Sequence, residues 1–288
     1  MLVTISGIFR NNETYIKWMI NTLYKIEMKH HNEIKFEYCF YQNDSIDKTG
    51  VLLTEFMKHR KGKITNEQNN RTQIKPIIGR GNAKSRSTER TQLLAQYRNK
   101  CLNQMKPLSS KWTLLIDSDI YFDETIIEQF LNHIDKQHTS NIVMYTANSI
   151  DNSDCYFDTW GYRDINDKYL SRAYLINKYG DAKIHSDIKE ERQRWTNGHP
   201  ICVNSAFGGC VFIKSDVLNK CKWSAPIGCE HWEFCKNVRQ YGVIVVCPLI
   251  VCINRETRPI CISTVKMTKK QTIKFTSKRK KYEFSKAR

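Results

Sequence analysis

No apolar run in this 288-residue chain approaches the roughly 18 residues that a helical membrane span requires. The opening residues, MLVTISGIF, lack the basic n-region and cleavage site of a signal peptide and begin instead as a strand-like run. CxxC pairs are absent although the chain has 11 cysteines, which argues against zinc sites built on that motif. The odd number and irregular spacing of the cysteines, with Cys39, Cys247 and Cys252 inside apolar runs, read as reduced thiols packed as small hydrophobes. These absences together lead us to expect a cytoplasmic protein. No repeat and no interdomain linker is visible either. One α/β domain over residues 1–262, followed by a basic tail over 263–288, is the expected organisation.

Negative charge is also scarce. Lys and Arg number 46 against 29 Asp and Glu, a formal net charge of +17. About half of the excess lies from Met267 onward, where nine basic residues face one glutamate. Such a block is a solvated tail or an arm for anionic partners, with peripheral contact to a membrane surface or to nucleic acid as its candidate roles. The excess elsewhere suits a protein whose ligand is anionic.

What is present is a βαβ rhythm. Leu2–Phe9 is strand-like, and Glu13–Met28 places Tyr15, Ile16, Met19, Ile20, Leu23 and Tyr24 at helical spacing. Ile34–Tyr41 alternates as a strand, and Val51–Met57 fits a helix. The polar stretch KGKITNEQNNRTQ reads as an exposed loop. Thr91–Met105 and Glu124–Ile134 read as helices around a strand at Trp112–Ile116, with a further strand at Asn141–Ala147. This alternation predicts a mostly parallel sheet with helices on both faces. From Asn148 to about Ser205 there is little periodicity, which at that length points to a functional segment or a lid. Ala206–Ile213 then reads as a strand, Glu230–Tyr241 as a helix and Val243–Cys252 as a buried strand.

One strand ends in an unusual way. In WTLLIDSDIYF, from Trp112 to Phe122, an apolar run meets Asp117-Ser118-Asp119. A buried carboxylate without a partner is costly, so either the strand runs out into a solvated turn or a cation belongs there. Ligands of open α/β sheets bind beyond the carboxyl ends of the strands. Residues i and i+2 of an extended segment point the same way, so both aspartates are expected to reach one hard cation such as Mg²⁺ or Mn²⁺. A metal between these carboxylates and a diphosphate would neutralise a leaving group.

Other segments carry polar groups at comparable places. SGIFRNNE holds Arg10 and Asn11 at a strand end, and FYQNDSIDKTG holds Asp44 at another. RTQLLAQYRNKCL brings Arg98 just before the DSD strand, and FDTWGYRD brings Trp160, Arg163 and Asp164 after it. NSAFGGCVFIK sets Gly208 and Gly209 at a strand start, where they serve a bulge or a close approach to ligand. GCEHWEFCKNVR sets Glu230, His231 and Glu233 at a helix start. Glu230 and Glu233 share one helix face, and we favour Glu230.

In this order and spacing, from roughly Leu2 to Asn254, the segments resemble a glycosyltransferase of the GT-A fold. Within that fold the chain is similar to the cryptococcal capsule α-1,3-mannosyltransferase-like family. The resemblance implies a Rossmann-like single domain with a mostly parallel mixed sheet. It also implies transfer of a hexose from a nucleotide sugar, GDP-mannose or UDP-hexose, to a glycan or glycoprotein acceptor, with a divalent metal and with retention of configuration. By the same resemblance Asp119 binds the metal, and Asp117 binds the metal or the ribose. Asp44, with Arg10 and Asn11, lies where the nucleotide is held. Gln42 stands where the family commonly has Glu, which leaves the base open. Arg98 reaches the diphosphate or pairs with Asp117. Gly208 and Gly209 line the transferred sugar, Glu230 and His231 lie near the acceptor, and Trp160, Arg163 and Asp164 help form the sugar or acceptor pocket. Many GT-A enzymes use a late histidine as a third metal ligand, but none follows His231 here.

No side chain declares itself a nucleophile, so front-face attack beside the leaving phosphate is the expected course. Inversion with Glu230 as general base is the alternative. Rival functions are a basic nucleic-acid-binding protein, for which no motif is present, and a metal-dependent nucleotidyltransferase, which leaves the FGG and CEHWEF segments without a role. Richness in Asn, Lys and Ile fits an AT-rich genome, such as that of a large virus or a microbe.

Overall fold

The computed structural model describes residues 1–69, 83–135 and 141–254. β1 (Leu2–Phe9) lies inside the sheet with a parallel strand on each side, β2 (Lys35–Asn43) and β4 (Trp112–Asp117). Strands covered on both faces need near-continuous apolar sequence, which LVTISGIF and WTLLID supply. From β1 the chain steps outward through α1 (Glu13–His30), β2, α2 (Thr49–Met57) and β3 (Gly62–Glu67). The return helix α3 (Ala83–Asn103) then delivers β4 to the opposite edge of β1. This reversal opens a crevice at the carboxyl ends of β1 and β4, the usual ligand position of such sheets.

The second half adds antiparallel pairing. β5 (Ile120–Tyr121), α4 (Ile126–Asp135), β6 (Ile142–Ile150), α5 (Arg172–Tyr179) and α6 (Lys189–Thr196) come first. β7 (Ile201–Val203), β8 (Cys210–Lys214), α7 (Ser215–Lys220), α8 (Glu230–Val238) and β9 (Val243–Asn254) follow. The nine-stranded sheet has the order β3-β2-β1-β4-β8-β6-β9-β5, with β7 also on β9. β8 runs antiparallel to both β4 and β6, so its start lies beside the end of β4. The result is the expected α/β domain with a mostly parallel, mixed sheet.

Alternation along β4 divides the core. Leu114 and Ile116 pack with Ile16 and Leu23 of α1 and Phe130 of α4, whereas Leu115 packs on the other face with Leu102 of α3 and Phe234 of α8. Beside the first half of β4, Phe212 stacks on Trp112 at 5.1 Å and on Phe130 at 5.4 Å. Each such fully buried ring contributes about 1.5–3 kcal/mol. Among the described residues no helix is long and apolar enough to cross a membrane.

Several expectations change. The stretch expected to be a loop, KGKITNEQNNRTQ, contains β3, which pairs in parallel with β2 from Tyr38↔Gly62 to Asn43↔Glu67. This edge strand with half-exposed side chains is held by the backbone ladder together with Ile64 packing on the core, Thr65 Oγ1 donating to Gln104 at 2.7 Å and Lys100 donating to Glu67 at 2.7 Å. A lysine on such an edge discourages further pairing. Residues 70–73 of that stretch lie outside the described residues, as does the basic tail. The Ala206–Ile213 strand starts only at Cys210, because Gly208 and Gly209 turn with φ of 61° and 67°. The aperiodic middle contains α5 and α6. α5 is bounded by an N-cap on Ser171, whose Oγ accepts the Tyr174 N–H at 3.1 Å, and by Gly180 at φ 79°.

That middle segment also buries His185 completely, against Tyr156 at 4.8 Å and Tyr162 at 4.5 Å. Burial, then repulsion from Arg172, pushes its pKa down to about 3. The folded pKa is depressed, so between pH ~6.5 and the folded value only the unfolded chain takes up this proton. Stability from this group is therefore present at neutral pH and lost as pH falls below ~6.5. His185→Phe should escape a loss of about 2 kcal/mol that the wild type suffers between pH 7 and pH 5. Urea unfolding at both pH values measures this, and parallel behaviour of the two proteins would exclude a neutral buried His185.

Candidate active site

The loops after β1, β2 and β4 are tied to one another by short polar side chains. Asn12 N–H donates to Thr49 Oγ1 at 2.6 Å, and Asn12 Nδ2 donates to the Ser118 carbonyl at 3.2 Å. Asn11 N–H donates to Ser45 Oγ at 3.1 Å, and Glu13 N–H to Asp47 Oδ2 at 2.9 Å. Asn11 and Asp44 take positive φ of 52° and 49°, a conformation that these two residue types accept better than most. Asp44 is buried and accepts the Asn69 N–H at 2.5 Å and Asn43 Nδ2 at 3.0 Å. Half-buried Arg10 belongs to the same rim. Gln42 lies buried beneath it, and its Oε1 has no hydrogen-bond partner among the described residues.

Asp117 is the last residue of β4, and Ser118-Asp119 form the turn into β5. The extended-strand argument for aligning the two carboxylates therefore does not hold, and the turn sets their relation. Asp117 is partly buried and Asp119 exposed. Arg98 reaches from α3, donating from Nη2 to Asp117 Oδ1 at 2.8 Å, with Nε 3.6 Å from Glu230 Oε1. Its guanidinium lies 4.6 Å from the Phe207 ring centre, and that ring stacks on His231 at 4.0 Å.

Glu230 opens α8 and is buried, whereas Glu233 lies at the surface 3.8 Å from Lys236. Burial pushes the Glu230 carboxyl pKa up, opposed by Arg98. His231 Nε2 is 3.5 Å from Glu230 Oε1. Burial, then Arg98, holds the His231 pKa well below its ordinary value, so its imidazole is neutral.

A residue not singled out from the sequence joins this group. Asp158 Oδ2 accepts the Gly208 N–H at 3.0 Å, and its Oδ1 accepts the Gly161 N–H at 3.2 Å. Burial raises its pKa to about 7 against those two hydrogen bonds, with Asp117 and Glu230 adding to the rise. Gly209 completes the ring by accepting the Asp117 N–H at 2.8 Å. Both glycines are required by the protein itself. A Cβ on Gly208 would sit 2.5 Å from the Ala147 carbonyl oxygen, and one on Gly209 2.6 Å from Ile120 Cγ2. Asp158 is one of several acidic residues between positions 150 and 170, and no local pattern marks it; its tie to Gly208 is a tertiary fact.

The remaining candidates lie elsewhere. Asp164 is buried, and its Oδ1 accepts the N–H groups of Asn166 and Lys168 at 2.9 and 2.8 Å, closing a local turn. Trp160 and Arg163 lie at the surface beside Trp232 of α8, whose Nε1 donates to the Trp160 carbonyl at 2.9 Å.

Asp117 and Glu230 thus share a single buried guanidinium, and Asp158 feels the charge of both carboxylates, so a chain with a +17 excess holds a surplus of carboxylates here. Among the described residues no group of three or more His, Cys, Asp and Glu side chains is placed to hold a metal ion. The oxygen donors of Asp117 and Asp119 fit a hard divalent cation that takes its other ligands from phosphate and water.

The fold is similar to that of TarS from S. aureus. The crystal structure of its residues 1–349 matches with a TM-score of 0.53 and 14% identity, over 88% of this chain and 60% of that one. The same fragment in complex with UDP-GlcNAc matches with a TM-score of 0.51 and 14% identity, over 90% and 59%. Its complex with UDP gives 0.51 and 15%, over 88% and 60%. The chain therefore spans about 60% of the length of these structures, and at such identity the likeness shows the GT-A fold alone. No curated protein matches the chain. With residues 3–285 matched, the chain belongs to the family described as cryptococcal mannosyltransferase 1.

Proposed function

We propose that the protein is a metal-dependent glycosyltransferase that moves a mannose-like hexose from a nucleoside-diphosphate sugar to a hydroxyl of a glycan or glycoprotein. The observation that carries this reading is the carboxylate surplus around Arg98 at the carboxyl ends of β1 and β4. The family description supports a mannosyl donor such as GDP-mannose. The UDP and UDP-GlcNAc complexes of TarS support a UDP-hexose as the other donor to test.

Asp117 and Asp119 would hold Mn²⁺ or Mg²⁺, which when bound supplies positive charge to a diphosphate leaving group. Arg98 keeps Asp117 oriented and links it to Glu230, so both carboxylates keep fixed positions. The loop around Asp44, Arg10 and Asn11 borders the same crevice and is our candidate for the nucleoside end. With only two protein carboxylates proposed as ligands, Mn²⁺ should bind weakly alone and more tightly with nucleotide. Calorimetric titration measures this, and tight binding without nucleotide would contradict it.

Retention follows the family resemblance, and front-face attack needs no covalent nucleophile. The transition state would carry oxocarbenium character. One observation favours inversion instead: burial raises the Glu230 pKa, which suits a base that takes the acceptor proton near neutral pH. The anomeric configuration of the product by NMR separates the two. A glycosyl adduct trapped on Glu230 or Asp164 would overturn front-face attack. Incubation with a panel of GDP- and UDP-sugars and Mn²⁺, reading free nucleotide, tests the whole reading, and release from none of them would overturn it. A cytoplasmic site of action is part of this reading, supported by the ten free cysteines among the described residues.

A further inference from the structure

We propose that Trp160, Trp232, Arg163 and Tyr169 form a stacking subsite for a pyranose ring of the acceptor, set apart from the hydroxyl that reacts. The inference rests on the glycosyltransferase reading for the identity of the adjoining cleft. Two carboxylates of that cleft, Asp158 and Glu230, are each followed two residues later by an indole, Trp160 and Trp232. The indoles meet edge to face, with ring centres 6.2 Å apart at 75°. Asp158 holds the Gly208 N–H of the cleft and the Trp160 carbonyl two residues on accepts from Trp232, so the subsite adjoins the cleft.

The arrangement is fixed without a ligand. Trp232 Nε1 donates to the Trp160 carbonyl at 2.9 Å, and Arg163 Nη1 donates to the same oxygen at 3.3 Å. The Arg163 guanidinium lies 3.8 Å from the Trp232 ring centre and 5.2 Å from that of Tyr169. Gly228, at φ 81°, lies against the Trp232 ring, where a Cβ would come within 2.1 Å of it. Despite this anchoring Trp160 remains 38% exposed and Tyr169 48%. Large aromatics left this open beside a cleft mark a contact surface.

The chemistry selects a sugar. A pyranose presents a face of weakly positive C–H groups, which packs on the negative face of an indole, and a rim of hydroxyls. The guanidinium supplies donors for such a rim, and rigid aromatic side chains lose little entropy on binding. A protein partner would call for a broader apolar surface than rings interrupted by a guanidinium.

The test uses the full chain without donor. Saturation-transfer NMR and calorimetry are run with methyl α-mannoside, mannotetraose and cellotetraose. A tetrasaccharide should bind saturably and more tightly than the monosaccharide. Trp160→Ala should weaken it about tenfold, which is about 1.4 kcal/mol, and Trp160→Phe should restore most of the loss. Trp232→Phe, which keeps a ring but loses the N–H donor, should weaken it less than Trp160→Ala. No saturable binding by either tetrasaccharide, or equal binding by Trp160→Ala, overturns the subsite. The glycosyltransferase reading is judged separately, by nucleotide release from nucleotide sugars. Release together with Trp160-independent saccharide binding removes the subsite alone. Trp160-dependent binding without release from any donor keeps the subsite and removes the reaction.

Discussion

Asp119→Ala is expected to lower nucleotide release about a thousandfold while costing the fold no more than about 1 kcal/mol. The side chain lies in an exposed turn beyond the last residue of β4, outside the packed core, so its truncation opens no cavity. Its proposed role is to hold the metal that neutralises the diphosphate, and such charge stabilisation is worth several kcal/mol of barrier. A thousandfold corresponds to about 4 kcal/mol at about 1.4 kcal/mol per tenfold. Steady-state release at increasing Mn²⁺, together with urea unfolding, separates the two effects. Release within tenfold of the wild type at ordinary Mn²⁺ would remove Asp119 from the metal site. Asp117→Ala should behave differently, because it also deprives Arg98 of its 2.8 Å partner and should lower stability as well.

The largest stability loss is expected for Arg98→Met, about 3–5 kcal/mol, the usual consequence of removing one partner from a buried ion pair. Methionine fills much of the volume but leaves Asp117 and Glu230 without their common cation. Burial already pushes the Glu230 carboxyl pKa up with Arg98 in place, so removing the guanidinium pushes it further. The Arg98→Met deficit should therefore shrink on acidification as Glu230 takes up its proton. The double variant Arg98→Met/Glu230→Gln should recover part of the loss at neutral pH, because a neutral amide needs no counterion. A double-mutant cycle from urea unfolding measures the coupling. A single-variant loss below about 1 kcal/mol would mean that the pair behaves like a surface salt bridge. Activity should fall in either case, since Asp117 loses the contact that orients it.

Much of the first half of the fold was legible residue by residue. Central parallel strands are buried on both faces and must be apolar throughout, so β1 and β4 announce themselves. The α1 stripe does so by its spacing, with Ile16, Met19 and Leu23 buried as read, although Tyr24 of that stripe is exposed and Ile26, outside it, is buried. β3 did not, because an edge strand half open to water carries no apolar period. α5 went unread although its caps, Ser171 and Gly180, stand in the sequence, because eight residues with a single buried side chain give a weak stripe.

For the site, the chain by itself determined which strand ends are polar, that Asp117-Ser118-Asp119 terminates an apolar strand, and the order of the segments that resemble the family. Only the tertiary structure decided that Arg98 serves both Asp117 and Glu230, that Asp158 faces them, that Glu233 does not, and that Asp164 closes a turn of its own. Periodicity reports which side of an element is buried, and that follows from local sequence. Which carboxylate meets which guanidinium depends on β8 entering antiparallel beside β4, a choice of strand order made by the packing of the whole sheet.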